Sequence, residues 1–325
     1  MDMAKYVVKR ILFMLLTFLI IISMCFVLIR LLPNEPPQQF GKDMQLVLQS
    51  RYRQGICDIN GNPIPLARQF WNFLTKSLIG GDWGVSEKLY FGQSCFQVFL
   101  SKLPNTVLVN TYSALLAVPV GLMLGIYAAL KKNRWQDHLI STSVMILVSV
   151  PSYVYAFLIQ YFLCYKMKLF PLVMKAGTDY FSKEMFLSML PAVLSLSLSS
   201  IAGYARFTRA ELTEVLTSEY LLLARTKGLT RAQTTVRHAL RNAMVPIFPS
   251  IISEVIAVLG GSLIIENIFV VPGVGELYVR SITALDYNFF LLLSGFYTLI
   301  GLTAGIVVDL SYGFIDPRIR MGSKK

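Results

Sequence analysis

Two groups of residues in this sequence have types and spacings suited to chemistry, and neither suits bond-breaking. The first is Leu222-Leu223-Ala224-Arg225-Thr226-Lys227-Gly228-Leu229-Thr230. Arg225 and Lys227 set two fixed positive charges among small residues. Gly228 is the residue type that ends a helix in the left-handed conformation. Thr230, with Gln233 three positions on, has the capping-box spacing that starts another helix. The pattern predicts a basic knuckle with backbone donors at a helix N-terminus, suited to ionic and hydrogen-bonded docking. From patterning alone, a protein partner and an anionic lipid surface are equally good counterparts. The second is Glu254, well inside an apolar run. An ionisable group there is a functional candidate by default. It can face an aqueous path, hold a peptide amine or pair with a basic residue of another chain; a helix-end position is the structural alternative.

Catalysis has little support. No G-x-x-x-x-G-K-[ST], HExxH or GxSxG stretch occurs, and the two histidines, His138 and His238, fall at the borders of apolar runs. The expectation is a non-enzymatic chain with no metal-ligand cluster and no cofactor of its own. Cys57 and Cys95 share one polar segment, so a disulfide between them is open in an oxidising compartment. Cys25 and Cys164 lie in or beside apolar runs and read as packing residues.

The elements that position these residues follow from composition. Of 325 residues, 55% are hydrophobic and 15% charged, against about 25% charged in soluble domains. Six runs reach the roughly 20 residues needed to span a bilayer: Ile11–Ile29, Thr106–Leu130, Leu139–Tyr165, Phe186–Ala205, Ile247–Ile265 and Phe289–Tyr312. None alternates as a barrel strand does, so the class is an all-α integral membrane protein with six transmembrane helices. The net charge of +12 is explained without nucleic acid. With the N-terminus inside, 17 of the 30 basic residues fall in four short inner segments: Lys5/Lys9/Arg10, Lys131/Lys132/Arg134, the Arg206–Arg241 loop and the Arg318/Arg320/Lys324/Lys325 tail. Such a bias puts both termini in the cytoplasm. The first run is too long for a signal peptide and lacks a small-x-small cleavage site, so it reads as a retained helix.

The chain divides into residues 1–32 (tail and first span), an extracytoplasmic insert 33–102, a core 103–310 containing a cytoplasmic loop 206–246, and a tail 311–325. The insert opens on the break Pro33-Asn34-Glu35-Pro36-Pro37. It contains short helices near Met44–Gln54 and Leu66–Leu78, a turn at Asn60-Gly61-Asn62-Pro63 and a tight loop Gly80-Gly81-Asp82-Trp83-Gly84. It is too small to fold alone and must pack on the helices or on a partner. Gly121/Gly125 and Gly301/Gly305 have small-xxx-small spacing. Pro119, Pro151 and Pro191 are expected to kink or start helices, and Pro246 to open the fifth span. Asn110 and Gln160 either line a path or bond between helices. Glu266 and Asp309, near interfaces, read as caps or anchors.

Tyr220-x-x-x-Ala224-Arg225-x-Lys227-Gly228-Leu229, followed by Arg237-His238-Ala239-Leu240-Arg241-Asn242-Ala243 and Pro246, closely resembles the inner-loop signature of ABC importer permeases of the oligopeptide/dipeptide class, in particular the oligopeptide B-type permease. Matching stretches recur in order: Gly81-Asp82-Trp83-Gly84, Val150-Pro151-Ser152-Tyr153, Arg206-x-Thr208-Arg209, Gly261-Ser262-Leu263-x-Ile265-Glu266, Phe269-x-x-Pro272-Gly273-x-Gly275 and Ile315-Asp316-Pro317-Arg318. The chain departs at Asn34-Glu35 and in a longer loop around Cys57–Pro65. The resemblance implies a type I importer permease fold in the bacterial inner membrane, working by alternating access. It implies a second homologous permease, two ATPase subunits that carry ATP and Mg, an extracytoplasmic binding protein and a peptide substrate. Leu222–Thr230 would be the coupling helix. Asn110, Pro151, Ser152, Tyr153, Glu254, Gly261 and Ser262 are candidates for the path, and Pro272, Gly273 and Gly275 for an outer gate loop. Nickel, glutathione or another small solute is the alternative cargo, and an ion-coupled secondary transporter the alternative mechanism.

Overall fold

The computed structural model describes residues 3–32, 44–177 and 179–315. The Pro33–Pro37 break and the basic tail from Asp316 onward lie outside these residues. In chain order the helices are α1 (Met3–Leu31), α2 (Met44–Gln54), α3 (Leu66–Asn72, extended by a π-helical stretch Phe73–Ile79), α4 (Cys95–Leu130), α5 (Trp135–Ser149), α6 (Ser152–Ile159, extended by a π stretch Gln160–Lys166) and α7 (Lys183–Leu216). Then come α8 (Glu219–Thr226), α9 (Arg231–Thr234, followed by a π stretch Thr235–Ala239), α10 (Leu240–Ala257), α11 (Leu263–Ile268), α12 (Val274–Thr283) and α13 (Tyr287–Ile315). Among the described residues, five helices are long and apolar enough to cross a membrane, and α5 with α6 makes a sixth, broken span. Leu12, Leu16, Met123 and Met145 are exposed along these helices, as lipid-facing side chains are.

Two spans depart from the sequence expectation, the third at one point and the fifth at both ends. The third is not one rod: α5 and α6 meet at 100°. Pro151 has no N–H to donate and disfavours helical geometry at the residue before it. Val150 is accordingly extended (φ −88°, ψ 128°), and Pro151 caps α6. The fifth span ends early, at Ala257. Gly261 takes a left-handed conformation (φ +66°), and the Ser262 hydroxyl accepts the Ile265 N–H to start α11. Gly260-Gly261-Ser262 is therefore a helix stop. At its other end the fifth span begins well before Pro246. Arg231–Ala257 is one continuous helix, and Pro246 and Pro249 lie within it.

The core is built on α4 against α7. A Cβ on Gly121 would lie 2.6 Å from the Tyr204 Cβ, and one on Gly125 2.6 Å from the Ala205 carbonyl. Only glycine allows the backbones this close, which is how helices associate where lipid removes the hydrophobic drive. The corresponding pair on α13 behaves differently: Gly301 and Gly305 are exposed and meet nothing within 4 Å among the described residues.

The segment between the first and second spans packs on the helices. Phe26 of α1 stacks on Phe73 (5.0 Å), whose ring meets Trp83 edge-on (6.1 Å). The buried Asp286, just before α13, accepts the Ser86 hydroxyl (2.6 Å) and the Lys88 and Leu89 N–H groups (3.1 Å each). The possible Cys57–Cys95 disulfide is absent. Both thiols are free and buried, Cys57 in a local bridge to Pro63 and Cys95 in the cluster of Val98, Phe99 and Val274.

Candidate functional site

The knuckle is a short helix pinned on one side and bare on the other. Leu221 is buried with Ala129, Leu212, Ala239 and Ala243, and Asn242 Nδ2 donates to the Tyr220 hydroxyl at 2.8 Å. α8 is thereby fixed to α7 and to the start of the fifth span. On its other side Leu222, Leu223, Arg225, Thr226 and Lys227 are exposed, while Ala224 and Leu229 are half-buried. Gly228 has φ +90° and donates its N–H to the Arg225 carbonyl at 3.0 Å. A Cβ there would meet nothing within 4 Å, so glycine serves the backbone conformation and leaves a bare surface. Thr230 completes the capping box: Gln233 N–H donates to its hydroxyl (3.3 Å), and its own N–H donates to Gln233 Oε1 (3.0 Å).

At the opposite end of the spans Glu266 organises the candidate gate loop. Its carboxylate is fully buried on α11, outside the membrane-spanning helices. Oε2 accepts N–H groups of Gly275 (2.8 Å) and Glu276 (3.4 Å) and the Thr106 hydroxyl (3.2 Å); Thr106 Oγ1 in turn accepts the Val274 N–H (2.8 Å). The carboxylate thus caps α12, where the helix dipole favours negative charge. Cβ atoms on Gly261, Gly273 or Gly275 would fall 2.1, 2.3 and 2.9 Å from its oxygens. Oε1 has no hydrogen-bond partner among the described residues. Burial pushes this carboxyl up to about 7, against the pull of the N–H and hydroxyl donors. Asn105 Nδ2 donates to the Pro272 carbonyl at 3.0 Å, so the loop's proline is tied to α4.

Glu254 stands in a different place. A cleft of about 360 Å³ opens between α7 and α10. Ser200, Gly203, Tyr204 and Phe207 form one wall at helical spacing, and Ser250, Ser253, Glu254 and Ala257 the other. Ser200 Oγ donates to Glu254 Oε1 (3.1 Å), and the Tyr204 hydroxyl donates to the Ser250 carbonyl (3.1 Å).

The remaining path candidates do not join this cleft. Gly261 and Ser262 belong to the turn beside Glu266. Pro151, Ser152 and Tyr153 sit at the break of the third span. Asn110 donates to the Thr106 carbonyl within its own helix. Gln160 bonds across the structure, to the Leu172 and Ile268 carbonyls (3.1 and 3.0 Å). One polar device lacked a reading at residue level. Asp137, buried at the start of α5, takes Arg209 Nη2 at 2.8 Å, the Asn133 N–H at 3.0 Å and the Ser141 hydroxyl at 3.2 Å. The Arg206-x-Thr208-Arg209 stretch carried the signal, but its partner lies 72 residues away.

An exposed basic knuckle thus stands at one end of the helical bundle and a capped loop at the other. Residues 121–321 match the family described as binding-protein-dependent transport system inner membrane component. The chain belongs to this family. It is 32% identical over 325 residues, 99% of its own length and all of the relative's, to the dipeptide transport system permease protein DppB of Bacillus subtilis (strain 168). It is 30% identical over 321 residues, 98% of its length and 99% of the relative's, to the glutathione transport system permease protein GsiC of Salmonella typhimurium (strain LT2). A solved chain of the MetNI methionine ABC transporter in inward-facing form superposes with a TM-score of 0.50 at 15% identity, covering 66% of this chain and 97% of that one, a likeness of fold. The resemblance carried by the inner-loop motif is borne out. The protein is a multi-pass permease subunit of an ABC importer in the bacterial inner membrane, and it works with ATPase and substrate-binding components.

Proposed function

We propose that this permease carries short peptides inward. It forms half of the pathway with a second homologous permease, has both termini in the cytoplasm, and places the segment between its first two spans outside. Relatives named for dipeptides and for glutathione share a cargo class: a small peptide bearing an ammonium and a carboxylate. The chain itself supplies no catalysis; ATP and Mg sit on two ATPase subunits. Leu222–Thr230 seats in one ATPase as the coupling helix, with Arg225 and Lys227 as its ionic contacts and Gly228 allowing close approach. Pro272, Gly273 and Gly275 form the outer gate loop.

The observation that carries this reading is the asymmetry of the knuckle. One side is locked by Leu221 and the Asn242–Tyr220 bond, and the other presents Arg225 and Lys227 to solvent. A handle must be rigid toward the helices it moves and bare toward what moves it. The test is ATP-driven uptake of dipeptides by proteoliposomes holding the whole complex. Arg225→Glu with Lys227→Glu, and separately Gly228→Trp, are expected to abolish uptake and ATPase retention while the two permeases still co-purify. Full uptake in all variants would refute the handle.

A further inference from the structure

The carboxylates on the spans are not alike. Asp137 is neutralised by Arg209, and Asp309 by Arg10 at 2.8 Å. Glu254 has the Ser200 hydroxyl as its partner, and among the described residues no lysine, arginine or histidine lines its cleft. Tyr204, the other titratable group facing it, has committed its hydroxyl to the Ser250 carbonyl. Glu254 lies in the last turn of α10, the helix-end position that the sequence left open, and none of the described residues lining its cleft is a cation, so the position has room for one from outside the chain. The cleft sets what kind. It is open along its length and about 360 Å³ in volume, far more than one lysine or arginine side chain from a companion subunit would fill. Its walls mix hydroxyls with the rings of Tyr204 and Phe207. That mixture suits a solute with a charged head and a variable side chain.

We infer that Glu254 is a specificity-determining residue of the pathway, receiving the ammonium group of a passing short peptide while Ser200 fixes the carboxylate's orientation. The inference rests on the peptide-permease reading above. Because the cation leaves with the cargo, the attraction is needed only while the cleft is occupied. Ser200 keeps Oε1 engaged at other times and leaves Oε2 directed to the ligand.

The experiment is ATP-driven uptake of a mixed tripeptide pool, with free and acetylated amino termini, by proteoliposomes holding the complete complex and its binding protein. Wild type is compared with Glu254→Gln and Glu254→Asp, the imported peptides being read by mass spectrometry. Loss of a charge-assisted bond predicts a fall on the order of tenfold or more in free-amine peptides for the Gln variant. The Asp variant restores most of it, and acetylated peptides keep their wild-type rate, whatever that rate is. Equal uptake of free-amine peptides by wild type and the Gln variant overturns the inference and leaves the peptide reading standing. Failure of the Gln variant to co-purify with the other permease also overturns it, making Glu254 a subunit contact. No uptake of any peptide by wild type sinks the peptide reading itself, a result the variants cannot mimic.

Discussion

Glu266 shows how one buried side chain can set a loop. Its folded-state pKa of about 7 lies above the ordinary carboxyl value of 4.5, so the folded state binds more protons than the unfolded state between those values. The stability this group contributes is full below about pH 4.5 and is lost as pH rises toward 7. Glu266→Gln is therefore expected to flatten the fall in melting temperature of the purified complex over that window. The difference amounts to on the order of 1–3 kcal/mol; a window as steep in the variant as in wild type would refute it. The sequence pointed to Glu266 as a cap or anchor because it sits near an interface. What it could not give was the object capped. Three glycines spread over fifteen positions become one cradle only when α11 and α12 fold together around the carboxylate.

Helices were legible where pattern is local, and less so where a contact between elements decides. The capping box at Thr230 and the stop at Gly228 follow from short-range spacing; the spacing of Gly121 and Gly125 marked a close helix approach but not its partner α7, and the same spacing at Gly301 and Gly305 marked none. The break at Pro151 was signalled too, but its 100° angle depends on how α6 packs against α7 and α11, which no local rule supplies. The fifth span was misjudged at both ends for related reasons. Apolar character continues past the Gly261 turn, and proline at position 246 is tolerated inside a helix that its neighbours hold. The Asp137–Arg209 pair is the tie between α5 and α7. Arg209→Ala leaves the carboxylate buried and unpaired, which is expected to cost about 3–5 kcal/mol and to lower the thermal midpoint of the purified chain. Adding Asp137→Asn should recover part of that loss by removing the stranded charge. No loss in the single variant would mean the pair is dispensable.

The molecule as a whole is built as one part of an assembly. The cleft beside Glu254 is open, and Gly301 and Gly305 of α13 meet nothing within 4 Å among the described residues. A pathway enclosed by this subunit alone would need those surfaces covered. Vesicles containing only this chain are thus expected to show no dipeptide uptake under either ATP or a proton gradient. Gradient-driven uptake without ATPases would instead support a secondary transporter.

The helix that leaves the knuckle at Arg231 runs unbroken to Ala257, with Glu254 three residues from its end. At 1.5 Å per residue, the two points are roughly 35 Å apart. Such a rod is a lever: a tilt of about 10° about its foot at the knuckle swings the far tip by about 6 Å, enough to part an ion pair. The same stroke that turns the handle would then loosen the carboxylate's hold on its guest, so that release needs no separate trigger.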